Sequence, residues 1–167
     1  YSGSNNQQPR ITNEVAMTLI DLNAFGEEIM ALQRQRKSLR LFYSKTSAIN
    51  KTKHMDDTFE LYESLHFEGT PLGFVTKDIL NKHKHENWDV VLVHDTEFVT
   101  KQELSALQNY LNKGGVVLLD EKSLKKDEYG NALPKLKQSK GKLLHVKSVD
   151  DFKHHALAIL KEKGQLS

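Results

Sequence analysis

There is no cysteine anywhere in the 167 residues. Disulfides, thiolate-bound metals and a cysteine nucleophile are thereby excluded. No apolar run approaches the roughly 20 residues that cross a bilayer. No basic segment followed by an apolar one opens the chain, so neither a membrane span nor a signal peptide is expected. Charge of one sign is also lacking: 24 Lys and Arg stand against 22 Asp and Glu, for a net charge of +2. Such a balance gives no general attraction to nucleic acid or to anionic membrane, and neither is expected as a partner. What is present, 38% hydrophobic and 28% charged residues, fits a soluble globular chain large enough to bury a core without staples. Composition leaves the compartment open between cytoplasm, periplasm and export.

The stretch at residues 87–122 organises the rest. VVLV at residues 90–93 and VVLL at 116–119 are short continuous apolar runs, as expected of strands buried on both faces. Between them Thr100 and Glu103 make a T-x-x-E capping box. Leu104, Leu107 and Leu111 then recur at helical spacing, and Gly114-Gly115 ends the helix. Two such strands joined by one helix form a right-handed βαβ unit and require a parallel sheet.

Further strands are expected at residues 39–43, 72–75 and 143–146, with helices from Asp56 or Asp57 and from Ser148, and a helical turn capped by Thr76. Residues 44–50 read as a loop, and Glu128-Tyr129-Gly130-Asn131 as a turn. Residues 1–12 are polar and read as a linker or tail. From Asn13 a long helical pattern runs to Lys37, with Val15, Leu19, Leu22, Phe25, Ile29 and Leu32 on one stripe. That stripe must pack on this sheet or on a neighbouring domain or subunit. The expected fold is α/β: a three-layer, open, mainly parallel sheet of about five strands, flavodoxin- or amidotransferase-like, with a long N-terminal helix. Residues 13–167 are expected to form a single domain.

Ligands of open parallel sheets bind outside the carboxyl ends of the strands, so the loops there decide function. The first, with Ser44, Thr46 and Ser47, resembles the phosphate loop of flavodoxins and gives an alternative reading as a phosphate- or FMN-binding module. Against it, Ser47 stands at that family's glycine, and the next helical pattern starts late. A receiver-type phosphorylation site would place Asp95 and Lys147 suitably but needs an acidic pair where Tyr43-Ser44-Lys45 stands. An amidotransferase elbow would fall near Asp120, Glu121 and Lys122, with no cysteine or flanking glycine, and Ser123 has no base identifiable from sequence. His83 and His85 beside Glu86, and the pair His154-His155, lack the i, i+4 spacing that puts two rings on one helix face, so no metal is expected. Lysines 122, 125, 126, 135, 137, 140 and 142 form a basic stretch broken by Asp127 and Glu128, with Tyr129 alone able to stack on a base.

The ordered set LFYSKTS at residues 41–47, YESLHFEGTPLGFVT at 62–76, residues 90–99, LQNYL at 107–111, KGG at 113–115 and SLKKDEYG at 123–130 resembles the middle domain of family 42 glycoside hydrolases. These are microbial β-galactosidases. The resemblance implies an amidotransferase-like fold without the nucleophile, known in the family as the trimerisation domain. Residues 13–37 are similar to the segment that leaves the catalytic barrel. The family's two catalytic glutamates lie on that barrel and have no counterpart here, so this chain is expected to carry no catalytic residue, no cofactor and no metal. Its implied partners are the barrel of the same chain and further copies in a trimer, with a galactoside contacted only indirectly. Loops 44–50 and 123–129 are then candidates for framing the active site, through Ser44, Thr46, Ser47, Asn50, Ser123, Asp127, Glu128 and Tyr129.

Overall fold

A computed structural model describes residues 8–83 and 89–164. The order of elements is α1 (Pro9–Ala24), α2 (Gly26–Arg34), β1 (Leu39–Phe42), α3 (Lys45–Asn50), α4 (His54–His66), β2 (Leu72–Val75), α5 (Lys77–Lys82), β3 (Val90–Val93), α6 (Lys101–Asn112), β4 (Val116–Asp120), β5 (Lys142–Val146) and α7 (Val149–Glu162). The described residues fall into two units, one up to Arg36 and one from Lys37 on.

In the first unit the expected single helix is two. It starts at Pro9, four residues before Asn13 and inside the expected linker, because proline suits the first helical turn, where its missing N–H is not needed. It breaks at Phe25 (φ −103°, ψ 20°), before Gly26, the residue least favourable to a helix interior after proline. No residue of either helix is buried.

The second unit is a five-stranded sheet in the order β2-β1-β3-β4-β5, with every pairing parallel. Strand alternation divides its apolar residues between two faces. Val91, Val93, Val117 and Leu119 pack with Leu104, Leu107 and Leu111 of α6 and Leu80 of α5. Val90, Leu92, Val116 and Leu118 pack with Leu61 and Leu65 of α4 and with Phe152, Ala156, Ile159 and Leu160 of α7. Helices therefore cover both faces, which is why β3 and β4 are apolar throughout. The capping box forms as expected: Thr100 Oγ1 accepts from Glu103 N at 3.1 Å and Glu103 Oε2 from Thr100 N at 2.7 Å. Ser148 caps α7 through Asp151 N. Thr76 precedes α5 but makes no side-chain cap bond. Opposite the strand ends, Arg40 pairs with Asp89 at 2.7 Å, and Tyr110 Oη donates to the Asp89 carbonyl at 2.5 Å.

Two local expectations need correcting at the strand ends. Residues 45–50 form α3, capped by Ser44, so a helix does follow β1 directly. The turn spans Asp127 to Gly130, one residue earlier than expected, because Gly130 takes the positive φ (85°) that closes it with a bond to the Asp127 carbonyl at 3.0 Å.

Candidate functional site

In a sheet of order 2-1-3-4-5, the chain leaves β1 toward one side and β3 toward the other, which opens a crevice between the carboxyl ends of β1 and β3. The residues singled out in sequence at the end of β1 do converge on this place, and the segment at 94–99, after β3, meets them. Ser47 Oγ donates to the Phe98 carbonyl at 2.6 Å and accepts from Phe98 N at 3.0 Å. Ser44 Oγ donates to the same carbonyl at 3.1 Å and caps α3 at Ser47 N. Both serines are fully buried. Their hydroxyls are thus spent on joining two loops, and a phosphate held between them would first have to break those bonds. Thr46 is half-buried, and its carbonyl accepts from the exposed Asn50 side chain at 2.9 Å.

Beneath this lies a charged cluster that local patterns missed. Lys51 Nζ reaches Asp95 Oδ1 at 2.5 Å. His54 Nδ1 lies 3.1 Å from the Asp95 carbonyl, which can only accept, so the proton sits on Nδ1. The Asp57 carboxyl lies near the Asp95 carboxyl, and that neighbour, with burial behind it, pushes Asp57 above the usual carboxylate range. Burial acts to raise Asp95 as well, but the neighbouring Asp57 carboxyl and the bond from Lys51 outweigh it and hold Asp95 low. Burial lowers His54 against the pull of the Asp95 carbonyl, which keeps the ring neutral. Asp95 adopts φ 48°, a region that aspartate tolerates better than most residues.

Asp120, ending β4, ties in the third loop. Its Oδ2 accepts from Asp95 N at 2.6 Å and His94 Nδ1 at 2.8 Å, and its Oδ1 from Lys122 N at 3.0 Å and Ser123 N at 2.8 Å. Burial pushes this carboxyl up, but the bonds from His94, Asp95 and Ser123 more than offset it and leave it low. Ser123 is buried; its Oγ accepts from Thr96 N at 2.9 Å and donates to the Val93 carbonyl at 3.3 Å. Leu124 is held at φ 58° by its N–H bond to the Thr96 carbonyl at 2.8 Å. Val99 N then bonds to the Lys126 carbonyl at 3.0 Å, and Lys126 Nζ pairs with Glu97 at 2.9 Å over the Phe98 ring.

Asp127 is also buried and points inward. It accepts from Tyr129 N at 2.9 Å, Asn131 N at 2.8 Å and Asn131 Nδ2 at 3.1 Å. The Asn131 side chain, followed by these backbone donors, holds its carboxyl low. Glu128 is exposed and Tyr129 is 83% exposed at the tip of the turn. With Lys101, Gln102 and Asn131 they line a shallow concavity of about 430 Å³.

Of the eight candidates, then, Ser44, Ser47, Ser123 and Asp127 build the loops, while Thr46, Asn50, Glu128 and Tyr129 are presented to what lies outside. Lys51, His54 and His94 are the members that sequence reading did not single out, and Asp120, read there only as an elbow position, is the residue that ties the loops together. Among the described residues no three His, Asp or Glu side chains are grouped to hold a metal ion. His85 and Glu86 lie outside the described residues, and His154 and His155 are exposed. Nor is any helix among the described residues long and apolar enough to cross a membrane.

No family model matches the chain, and no curated protein matches it. Among solved structures, the apo exo-carrageenase of glycoside hydrolase family 42 from Bacteroides ovatus superposes with a TM-score of 0.85 at 46% identity. The match covers 99% of this chain and 23% of that one, so the chain spans about a quarter of the carrageenase's length. A β-galactosidase of the same family from G. stearothermophilus matches at 14% identity and TM-score 0.49, over 80% of this chain and 20% of its own. A β-galactosidase from Bifidobacterium adolescentis matches at 12% and 0.47, over 75% of this chain and 53% of its own. Only the first likeness is close enough to weigh.

Proposed function

Because this chain is a domain of the family 42 glycoside hydrolases, we propose that it has no chemistry of its own and serves subunit association and framing of the active site in a larger hydrolase. The observation that carries this reading is the state of the crevice between β1 and β3. Where flavodoxin-like sheets open to a ligand, Ser44, Ser47, Lys51, His54 and Asp95 are bonded to one another and to Phe98. Groups committed in this way hold the segments at 44–54 and 94–99 in one shape, which is what a wall for someone else's active site requires.

Several large apolar side chains are left exposed, and that supports association. Leu19, Ile20, Leu22 and Phe25 of the first unit are each more than half exposed. On the second unit Phe59, Phe67 and Phe74 are exposed beside the stacked pair Tyr62–Phe74. Apolar groups at that density mark contact surfaces. The partners we infer are the catalytic barrel of the parent enzyme and other copies of the chain.

For the parent's substrate, the 46% identity to an exo-carrageenase favours a galactan of the carrageenan type, a sulfated polymer, over a simple β-galactoside. The test is a full-length enzyme in which loops 44–50 and 123–129 are replaced by Gly/Ser segments. We expect KM to rise at least fivefold and assembly to weaken. An unchanged KM together with unchanged assembly would rule the framing role out.

A further inference from the structure

The strand-end crevice is stitched shut, but a second concavity is not. Between α6 and the extended segment at residues 132–139 runs an open groove of about 940 Å³. Its shape follows from how that segment is tied down. Leu133 and Leu136 pack against the core, and Leu133 N bonds to the Lys125 carbonyl at 2.9 Å. A single α6 side chain pins the middle: Gln108 Nε2 donates to the Lys137 carbonyl at 3.0 Å, while Gln108 Oε1 accepts from Lys137 N at 2.8 Å. Held at these points, the segment stands off the helix and leaves a trough with Leu104, Leu133 and Leu136 in its lining.

Three lysines line the same trough: Lys101, Lys135 and Lys137. No Asp or Glu is among the lining residues. None of the three lysines takes part in an ion pair among the described residues, but Lys101 also borders Asp127 and Glu128 in the neighbouring concavity, so Lys135 and Lys137 carry the excess. In a chain whose net charge is only +2, this is a local excess of positive charge in a concave, partly apolar place, where a field is focused. Ser105 and Asn112 add neutral polar groups to the lining, whereas the Gln138 amide is spent on the Gly141 carbonyl at 2.6 Å and Leu143 N at 3.1 Å. A smaller cavity of about 410 Å³ shares Ala132, Leu133, Lys135 and Leu136 with the groove and adds Lys125 and His145, with Asp120 and Glu121 as its acids. That cavity carries both signs, so the positive excess is confined to the groove.

We propose that this groove binds a sulfated polysaccharide chain. Lysine ammonium groups pair with sulfate as point charges without demanding a fixed angle. Amides and hydroxyls meet the sugar hydroxyls, and the leucines meet the C–H faces of the rings. The inference rests on the carrageenan-type reading of the parent and extends it, because it gives this chain a substrate contact of its own.

The test is titration calorimetry of the 167-residue chain with carrageenan-derived oligosaccharides and with the same oligosaccharides desulfated. The sulfated ligand is expected to bind at least tenfold more tightly, and to weaken as salt is raised. Lys135→Glu with Lys137→Glu should cost at least tenfold in affinity. Lys53→Glu with Lys161→Glu, exposed lysines that line no concavity described here, should leave it within twofold. Equal affinity for the desulfated sugar, equal losses in the two double variants, equal affinity for poly-glutamate, or no binding at all would each overturn the groove. Assay of the full-length enzyme separates the two readings. Cleavage of sulfated galactan without binding here sinks the groove alone; cleavage of neutral galactosides only sinks the carrageenan-type reading.

Discussion

The Asp120 carboxylate accepts four hydrogen bonds, three of them from backbone N–H groups, and so joins the ends of β3 and β4 to the loop at 121–123. Its folded pKa lies below the ordinary value of about 4 for an unfolded aspartate. The stability it contributes is therefore complete above that value and is lost as pH falls through the folded one. Asp95 has the same sign. Asp57, raised by the neighbouring Asp95 carboxyl, has the opposite one: its contribution is present in acid and is lost as pH climbs through its folded value. Asp120→Asn keeps the shape but offers an N–H where a donor already points. It should cost about 2 kcal/mol at pH 7, the usual worth of bonds to a charged acceptor. Urea unfolding at pH 7 and pH 3 checks this, and the gap to the parent chain should narrow in acid. A gap equal at both pH values would mean that the charge of Asp120 does no stabilising work. None of these partners was legible in the sequence. Asp56 and Asp57 read as a helix start, yet the carboxyl that shifts Asp57 belongs to a residue 38 positions on, and no local spacing reports such a pairing.

At the scale of elements the sequence was far more informative. The T-x-x-E box at Thr100 and Glu103 forms as read, and α6 begins at Lys101. Thr100→Ala should cost about 1 kcal/mol, as loss of an N-cap usually does. Because Leu104, Leu107 and Leu111 keep α6 on the sheet, the loss should appear in thermal unfolding without a change in helix content by circular dichroism. A drop within 0.3 kcal/mol of zero would show that Glu103 alone suffices. The errors were equally local in origin. A polar run hid the start of α1 at Pro9, and Ser44-Lys45-Thr46-Ser47 looked like loop because serine side chains bond to nearby backbone and favour caps and turns. In the fold, Ser44 caps α3 and Ser47 turns inward. Close approach, too, was out of sight: a side chain at Gly141 would put its Cβ 2.1 Å from the Gly115 carbonyl, so β5 can enter beside the end of α6 only with glycine there.

For the whole molecule, the question is what covers the apolar residues that this chain exposes. Leu19 and Leu22 lie on the stripe of α1 and are more than half exposed. Burying each in a contact is worth about 1.5–3 kcal/mol. Leu19→Glu with Leu22→Glu in the full-length enzyme should therefore weaken assembly at least tenfold by light scattering across a dilution series. Helix content should hold, since neither residue belongs to a core in this chain. Unchanged assembly would remove α1 from the contact surface. By itself the sequence determined the parallel sheet and the helices on both faces, because burial on two sides writes itself into β3 and β4 as unbroken apolar runs. Only the tertiary structure decided that the strand-end hydroxyls and carboxylates are consumed within the fold while the lysines of the 132–139 segment line an open groove. A serine or a lysine is the same letter whether it faces in or out, and its direction is settled by chain that returns from dozens of residues away.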